Sequence, residues 1–88
     1  MSDFNDVIDL VYSIRDKALL EDFLMGLTTP QERKDLQKRI EIVRLLLQGE
    51  PQHDIAHKLG VGIATVTRAS KELSQGRFKV LKEENEKN

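Results

Sequence analysis

The side chains capable of chemistry are few, and their spacing narrows what they can do. His53 and His57 stand four residues apart, the interval that places two imidazoles on one helix face and can hold a metal ion. No third ligand accompanies them, because Asp54 falls elsewhere around the helix; surface or DNA-facing histidines are the expectation, and no metal is expected. There is no cysteine, which removes thiolate nucleophiles, disulfides and cysteine metal sites together. Ser70 and Ser74 have no base nearby in sequence, and neither a glycine-rich phosphate loop nor a metalloprotease motif occurs. The chain is not expected to be an enzyme and needs no catalytic residue.

Charge is distributed unevenly. Residues 1–50 carry 7 Lys/Arg against 10 Asp/Glu, whereas residues 51–80 carry 5 against 2. A basic stretch inside an acidic chain is what a phosphate-facing surface requires. Lys58 and Lys71 belong to it, as phosphate partners or as solvated charges.

That stretch also contains a register. Counting Gln52 as the first position, Ala56 is fifth, Gly60 ninth and Val66 fifteenth, with apolar Ile55, Leu59 and Val61 at positions four, eight and ten. Two crossing helices need a small residue where the first meets the second, a residue tolerant of positive φ in the turn, and apolar residues to seal the pair. All of these needs are met in one window, so a helix-turn-helix is placed at residues 52–71. The second helix opens Gly62-Ile63-Ala64-Thr65, with no long or acidic side chain in its first turn. Its N-terminus can therefore approach bases and phosphates closely.

The elements that must position this pair are helical throughout, so the fold class is all-α, a small multi-helix arrangement. Eighty-eight residues suffice for a single domain, read as residues 1–88. Ser2 or Asp3 caps a first helix with Phe4, Val7, Ile8, Val11 and Ile14 at helix spacing. A break near Asp16 precedes Leu19, Leu20, Phe23, Leu24 and Leu27, leaving open two helices or one bent helix. Thr29-Pro30-Gln31-Glu32 then opens a central helix with a capping box and proline at the first helical position. This helix should reach about Gln48, using Leu36, Ile40, Val43, Leu46 and Leu47 as its main apolar face, widened by Ile42 and Leu45. Ser74-Gln75-Gly76 breaks the chain again, and a charged tail is expected to fray from about 82 to 88. With three Phe, one Tyr and no Trp, a second subunit would help complete the core. No apolar run is long enough for a membrane span, and the acidic N-terminus lacks the pattern of a signal peptide, so a cytoplasmic location is expected.

Two stretches read together carry a resemblance: Leu27-Thr28-Thr29-Pro30-Gln31-Glu32-Arg33, and Leu59-Gly60-Val61-Gly62-Ile63-Ala64-Thr65-Val66-Thr67-Arg68. They resemble the Trp repressor superfamily, over about residues 24–73. The resemblance implies an intertwined homodimer, two reading heads in successive major grooves of a palindromic operator in double-stranded DNA, and a repressor's role in transcription. Gln52, Ile63, Ala64, Thr65 and Thr67 match the family's DNA-contacting positions; His53, Gly62 and Lys71 join them as candidates from the residues themselves. It also implies a pocket for L-tryptophan or a related amino acid as corepressor. Thr29, Arg39 and Arg68 match that pocket, where guanidinium groups stack on a ring and pair with a carboxylate.

Departures from the family pattern cluster at the pocket. Ala69 replaces a glycine and Glu72 a serine, and the segment between Glu50 and Gly60 is one residue shorter than in tryptophan-binding members. Glu72 could pair with a ligand ammonium, or with Arg68 one turn earlier. Arg39 could instead pair with Asp35 as an ordinary exposed helix couple. The competing readings are a constitutive or differently liganded DNA-binding protein, and a helical oligomerisation module without DNA.

Overall fold

A computed structural model describes residues 2–88, and these form six α-helices with no strand. The helices are α1 (Phe4–Ser13), α2 (Lys17–Leu27), α3 (Pro30–Leu47), α4 (Gln52–Leu59), α5 (Ile63–Ser74) and α6 (Lys79–Glu86). The chain is described as two compact units, one ending at Arg33 and the other running from Lys34 to Asn88. None of these helices is long and apolar enough to cross a membrane.

In the N-terminal unit the break at Asp16 separates two helices. The Asp16 carboxylate accepts from the N–H groups of Ala18 and Leu19 at 2.8 and 3.2 Å, a cap that starts α2. Asp3 caps α1 in the same way, accepting from Asp6 N–H at 3.1 Å. The capping box at the head of α3 is complete. Thr29 N–H donates to Glu32 Oε1 at 2.9 Å, and Glu32 N–H donates to Thr29 Oγ1 at 3.1 Å. Arg33 fastens the corner by donating to the carbonyl of Thr28 at 2.7 Å. Neither α1 nor α2 has a buried residue, and Phe4, Tyr12 and Leu19 are 75%, 83% and 63% exposed.

The C-terminal unit is built around Ile42 and Leu45 of α3, Ile55 of α4 and Val66 of α5. Leu46, Ala56, Leu59, Val61 and Ala69 pack against them, half-buried. Burying one such aliphatic side chain contributes about 1.5–3 kcal/mol, so these few residues hold α3, α4 and α5 together. The apolar face expected for α3 is corrected here. Leu36 and Ile40 are exposed, while Ile42, Val43 and Leu45 are the buried residues. The residues expected only to widen the stripe are its centre, because the last two turns of α3 are the ones that meet α4 and α5.

Three helices of this unit stop in the same way. Gly49, Gly60 and Gly76 each take a left-handed conformation just past a helix end. Behind them Glu50, Val61 and Arg77 donate their N–H groups back to the carbonyls of Leu45, Ala56 and Glu72. These six-to-one bonds satisfy carbonyls that the ends would otherwise leave unpaired. The tail differs from expectation, since residues 79–86 are helical rather than frayed from about 82. The cause is a tether absent from local composition. Arg44 of α3 donates through Nε and Nη2 to the two carboxylate oxygens of Glu84, both at 2.8 Å, and Asn85 donates to the carbonyl of Leu47 at 3.4 Å. That fork holds the Glu84 carboxyl below its usual range by hydrogen bonding and raises Arg44 in turn.

Candidate nucleic-acid interface and ligand cavity

The α4–α5 pair has the architecture its sequence register demands. Ile55 and Val66 are fully buried at the crossing, with Ala56, Leu59 and Val61 packed beside them. Gly60 sits at φ +65°, where a Cβ is disfavoured, and allows the turn into Val61. Past this turn Gly62, the N-cap of α5, and Ile63, Ala64, Thr65 and Thr67 within the helix are each exposed. His53 and Lys71 are exposed as well, while Gln52 is half-buried. No side chain caps the start of α4 or of α5, so both first turns keep N–H groups for an external acceptor. Gln52 and Thr67 are joined to each other, the Thr67 hydroxyl donating to Gln52 Oε1 at 2.8 Å. Lys58 is committed to Glu50 at 3.2 Å, which leaves Lys71 as the less encumbered lysine at the motif. Among the described residues no group of three acids, histidines or cysteines is gathered around a metal-sized site.

On the flank of α5 lies a cavity of about 390 Å³, lined by Arg39, Thr65, Arg68, Ala69, Glu72 and Phe78. Four of the five residues expected to hold a ligand therefore meet in one place. The fifth, Thr29, lies in the N-terminal unit, where its hydroxyl serves the capping box. Beside the cavity is a second hollow of about 240 Å³, lined by Asp35, Lys38, Arg39, Ile42, Val61 and Thr65.

Two pairings that the sequence left open are not made. Glu72 does not pair with Arg68; its carboxylate lies 3.9 Å from Nε of Arg77. The reversal at Gly76 carries Arg77 back, with Arg77 N–H bonded to the Glu72 carbonyl at 3.0 Å. Nor does Arg39 pair with Asp35: among the described residues neither Arg39 nor Arg68 has an ion pair or a hydrogen bond through its side chain. Ala69 packs against the core as well as lining the cavity, so its methyl group belongs to the wall.

Phe78 is the lining residue that sequence reasoning passed over. It takes φ +64°, the one described non-glycine residue at positive φ, and stands at the head of α6. An aromatic residue two positions after a terminating glycine was the available signal. Helix periodicity gave it no role.

The chain is thus an all-α protein with a solvent-facing helix-turn-helix and an arginine-lined cavity against the second helix of that pair. The family follows from comparison. The family model described as Trp repressor protein matches residues 2–84, and the chain belongs to that family. It is 48% identical over 73 residues to a Trp operon repressor homolog of Vibrio cholerae serotype O1, covering 82% of this chain and 71% of that one. Homologs of the same name from Vibrio vulnificus (strain YJ016) and Aliivibrio fischeri (strain ES114) are 45% and 42% identical over 73 residues. Each of these matches covers 82% of this chain, and 72% and 68% of the respective relative.

Proposed function

We propose that this protein is a cytoplasmic transcriptional repressor that binds palindromic double-stranded DNA as a homodimer. The reading turn of α5 enters the major groove, with Gly62, Ile63, Ala64, Thr65 and Thr67 closest to the bases. Gln52, His53 and Lys71 flank it toward the phosphates. A small aromatic carboxylate, the class to which L-tryptophan belongs, occupies the cavity as corepressor. Family membership supports the repressor role, and the exposed apolar side chains of α1 and α2 support a second copy of the chain as their cover.

The observation that carries this reading is Thr65, which is exposed in the first turn of α5 and also lines the cavity. A molecule bound between Arg39 and Arg68 would thus lie against the turn that meets DNA. The test is binding to a palindromic duplex across a salt series, with and without L-tryptophan. Specific binding should weaken steeply with salt as phosphate contacts release counterions. Thr65→Glu sets a carboxylate against phosphates and should reduce affinity at least about tenfold, or roughly 1.4 kcal/mol, with the melting temperature unchanged. Salt-independent binding, or full affinity in Thr65→Glu, would remove α5 from the groove.

A further inference from the structure

One side of α3 carries more than its core contacts need. Asp35, Lys38, Arg39 and Ile42 follow one another at helix spacing, which stacks them along a single face. Ile42 is fully buried and clusters with Ile55 of α4 and Val66 of α5, so this face is the one turned toward the helix-turn-helix. Its three companions, in the turns just before it, line the hollow of about 240 Å³ together with Val61 of the α4–α5 turn and Thr65 of α5. The accessible charge of this wall is positive: Lys38 and Arg39 are exposed, whereas Asp35, its one acid, is half-buried. Arg39 is shared with the larger cavity, so Lys38 is the cation that belongs to this hollow alone. Among the described residues its ammonium group has no ion pair or hydrogen bond. A solvated lysine is ordinary, but this one shares its hollow with Thr65, exposed in the first turn of the reading helix.

We propose, resting on the DNA-binding role above, that Lys38 is a further DNA-contacting residue, and that the hollow between α3 and the reading turn seats a backbone phosphate of the bound duplex. The contacted surface then extends beyond the helix-turn-helix onto α3. Continuity identifies the occupant. A duplex that receives Thr65 in its major groove brings the phosphates along the groove edge beside that residue, and the hollow adjoins it. A phosphate is a compact anion with acceptor oxygens. Lys38 meets it as a point charge with three donors, and the Thr65 hydroxyl adds one more. Such a contact adds affinity and fixes the protein on the backbone, but reads no sequence.

The test is a salt series on the full chain with two duplexes, a palindrome selected by the parent from a random pool and a random-sequence control. Lys38→Gln removes the charge and keeps the length of the side chain. The plot of log affinity against log salt should become shallower by about 0.9 per reading head, the share of one phosphate. Affinity should fall about two- to fivefold per head, the range of a solvent-exposed charge pair, and on both duplexes alike. Lys38→Arg should keep the parent's slope. Lys87→Gln, the same charge change on the tail past α6, should leave slope and affinity as they are. Neutral methylphosphonates placed one at a time along the palindrome then locate the contact: at one position the parent should weaken and Lys38→Gln should not. Lys38 is exposed, so the variants should fold, which circular dichroism checks. An unchanged slope in Lys38→Gln, or an equal loss in Lys87→Gln, overturns the phosphate seat and leaves α5 as the reader. A loss confined to the palindrome also overturns it, since that marks a base contact. If the parent binds neither duplex, the DNA-binding role falls, and the seat with it.

Discussion

The two units of this chain use similar apolar residues to opposite ends. From Lys34 onward, Ile42, Val43, Leu45, Ile55 and Val66 leave water almost completely. Before it, α1 and α2 carry Phe4, Ile8, Leu10, Tyr12, Leu19, Leu24 and Leu27, all of which remain exposed. Helix formation is not the difference, since every N-terminal helix start has a well-made cap. The difference is packing. Capping decides where a helix begins, but only a neighbouring apolar face decides whether it is buried. The C-terminal unit contains such faces; the N-terminal unit offers one that a second copy can cover.

The sharpest test of this contrast is removal of core volume. Ile55→Ala should lower stability by about 2–5 kcal/mol through lost burial and a residual cavity, read as a shifted urea midpoint with unchanged slope. A loss below about 1 kcal/mol would mean that the C-terminal unit lacks the core described for it.

Next comes the N-terminal face. Leu19→Glu should leave a monomer's stability nearly unchanged, because the residue is 63% exposed within its own chain. In a dimer that covers Leu19 it buries a charge, so sedimentation should show dimer affinity reduced at least about tenfold, a loss of roughly 1.4 kcal/mol. An unaltered dimer would mean that this face is not the interface.

Caps and core differ in how well sequence announces them. Thr29 and Glu32 bond as their spacing predicts, and Gly60 occupies the turn that its register assigns, because both depend on local backbone geometry. The helix-turn-helix was legible for a related reason: Ile55, Ala56, Leu59, Val61 and Val66 serve each other within one short window. What escaped is non-local. Periodicity gave α3 an apolar stripe, but it could not tell that Ile42 and Leu45 would meet neighbours while Leu36 and Ile40 would not. Arg44 and Glu84 are forty residues apart, and Arg77 reaches Glu72 only because the chain reverses at Gly76. Contacts of that kind have no periodic signature.

A smaller effect separates local from tertiary support. Thr29→Ala removes one half of the capping box and should cost about 1 kcal/mol, seen as a lower melting temperature. Glu32→Ala should cost a similar amount, and the double variant less than the sum, since the two residues serve one another.

The smallest effect is the pH response of the α3–α6 tether. The folded protein holds Glu84 below the range of an unfolded-chain carboxyl, so the unfolded state binds its proton first as acid is added. The stabilisation is therefore complete above the ordinary carboxylate range and disappears as pH falls through the depressed folded value. Glu84→Gln should flatten that part of the stability–pH curve, leaving stability above it only slightly reduced, because the pair is solvent-exposed. An identical acid limb in the variant would show that the tether carries no linkage.

The bond between Thr67 and Gln52 has a mechanical consequence. The α4–α5 pair is joined covalently at one end by the Gly60–Gly62 turn, and this bond closes it again from the first residue of α4. Chain and bond together make a closed loop of two rods with few remaining degrees of freedom. A tilt of α5 against α4 therefore has to break this bond or carry α4 along, so the bond favours the two helices moving together.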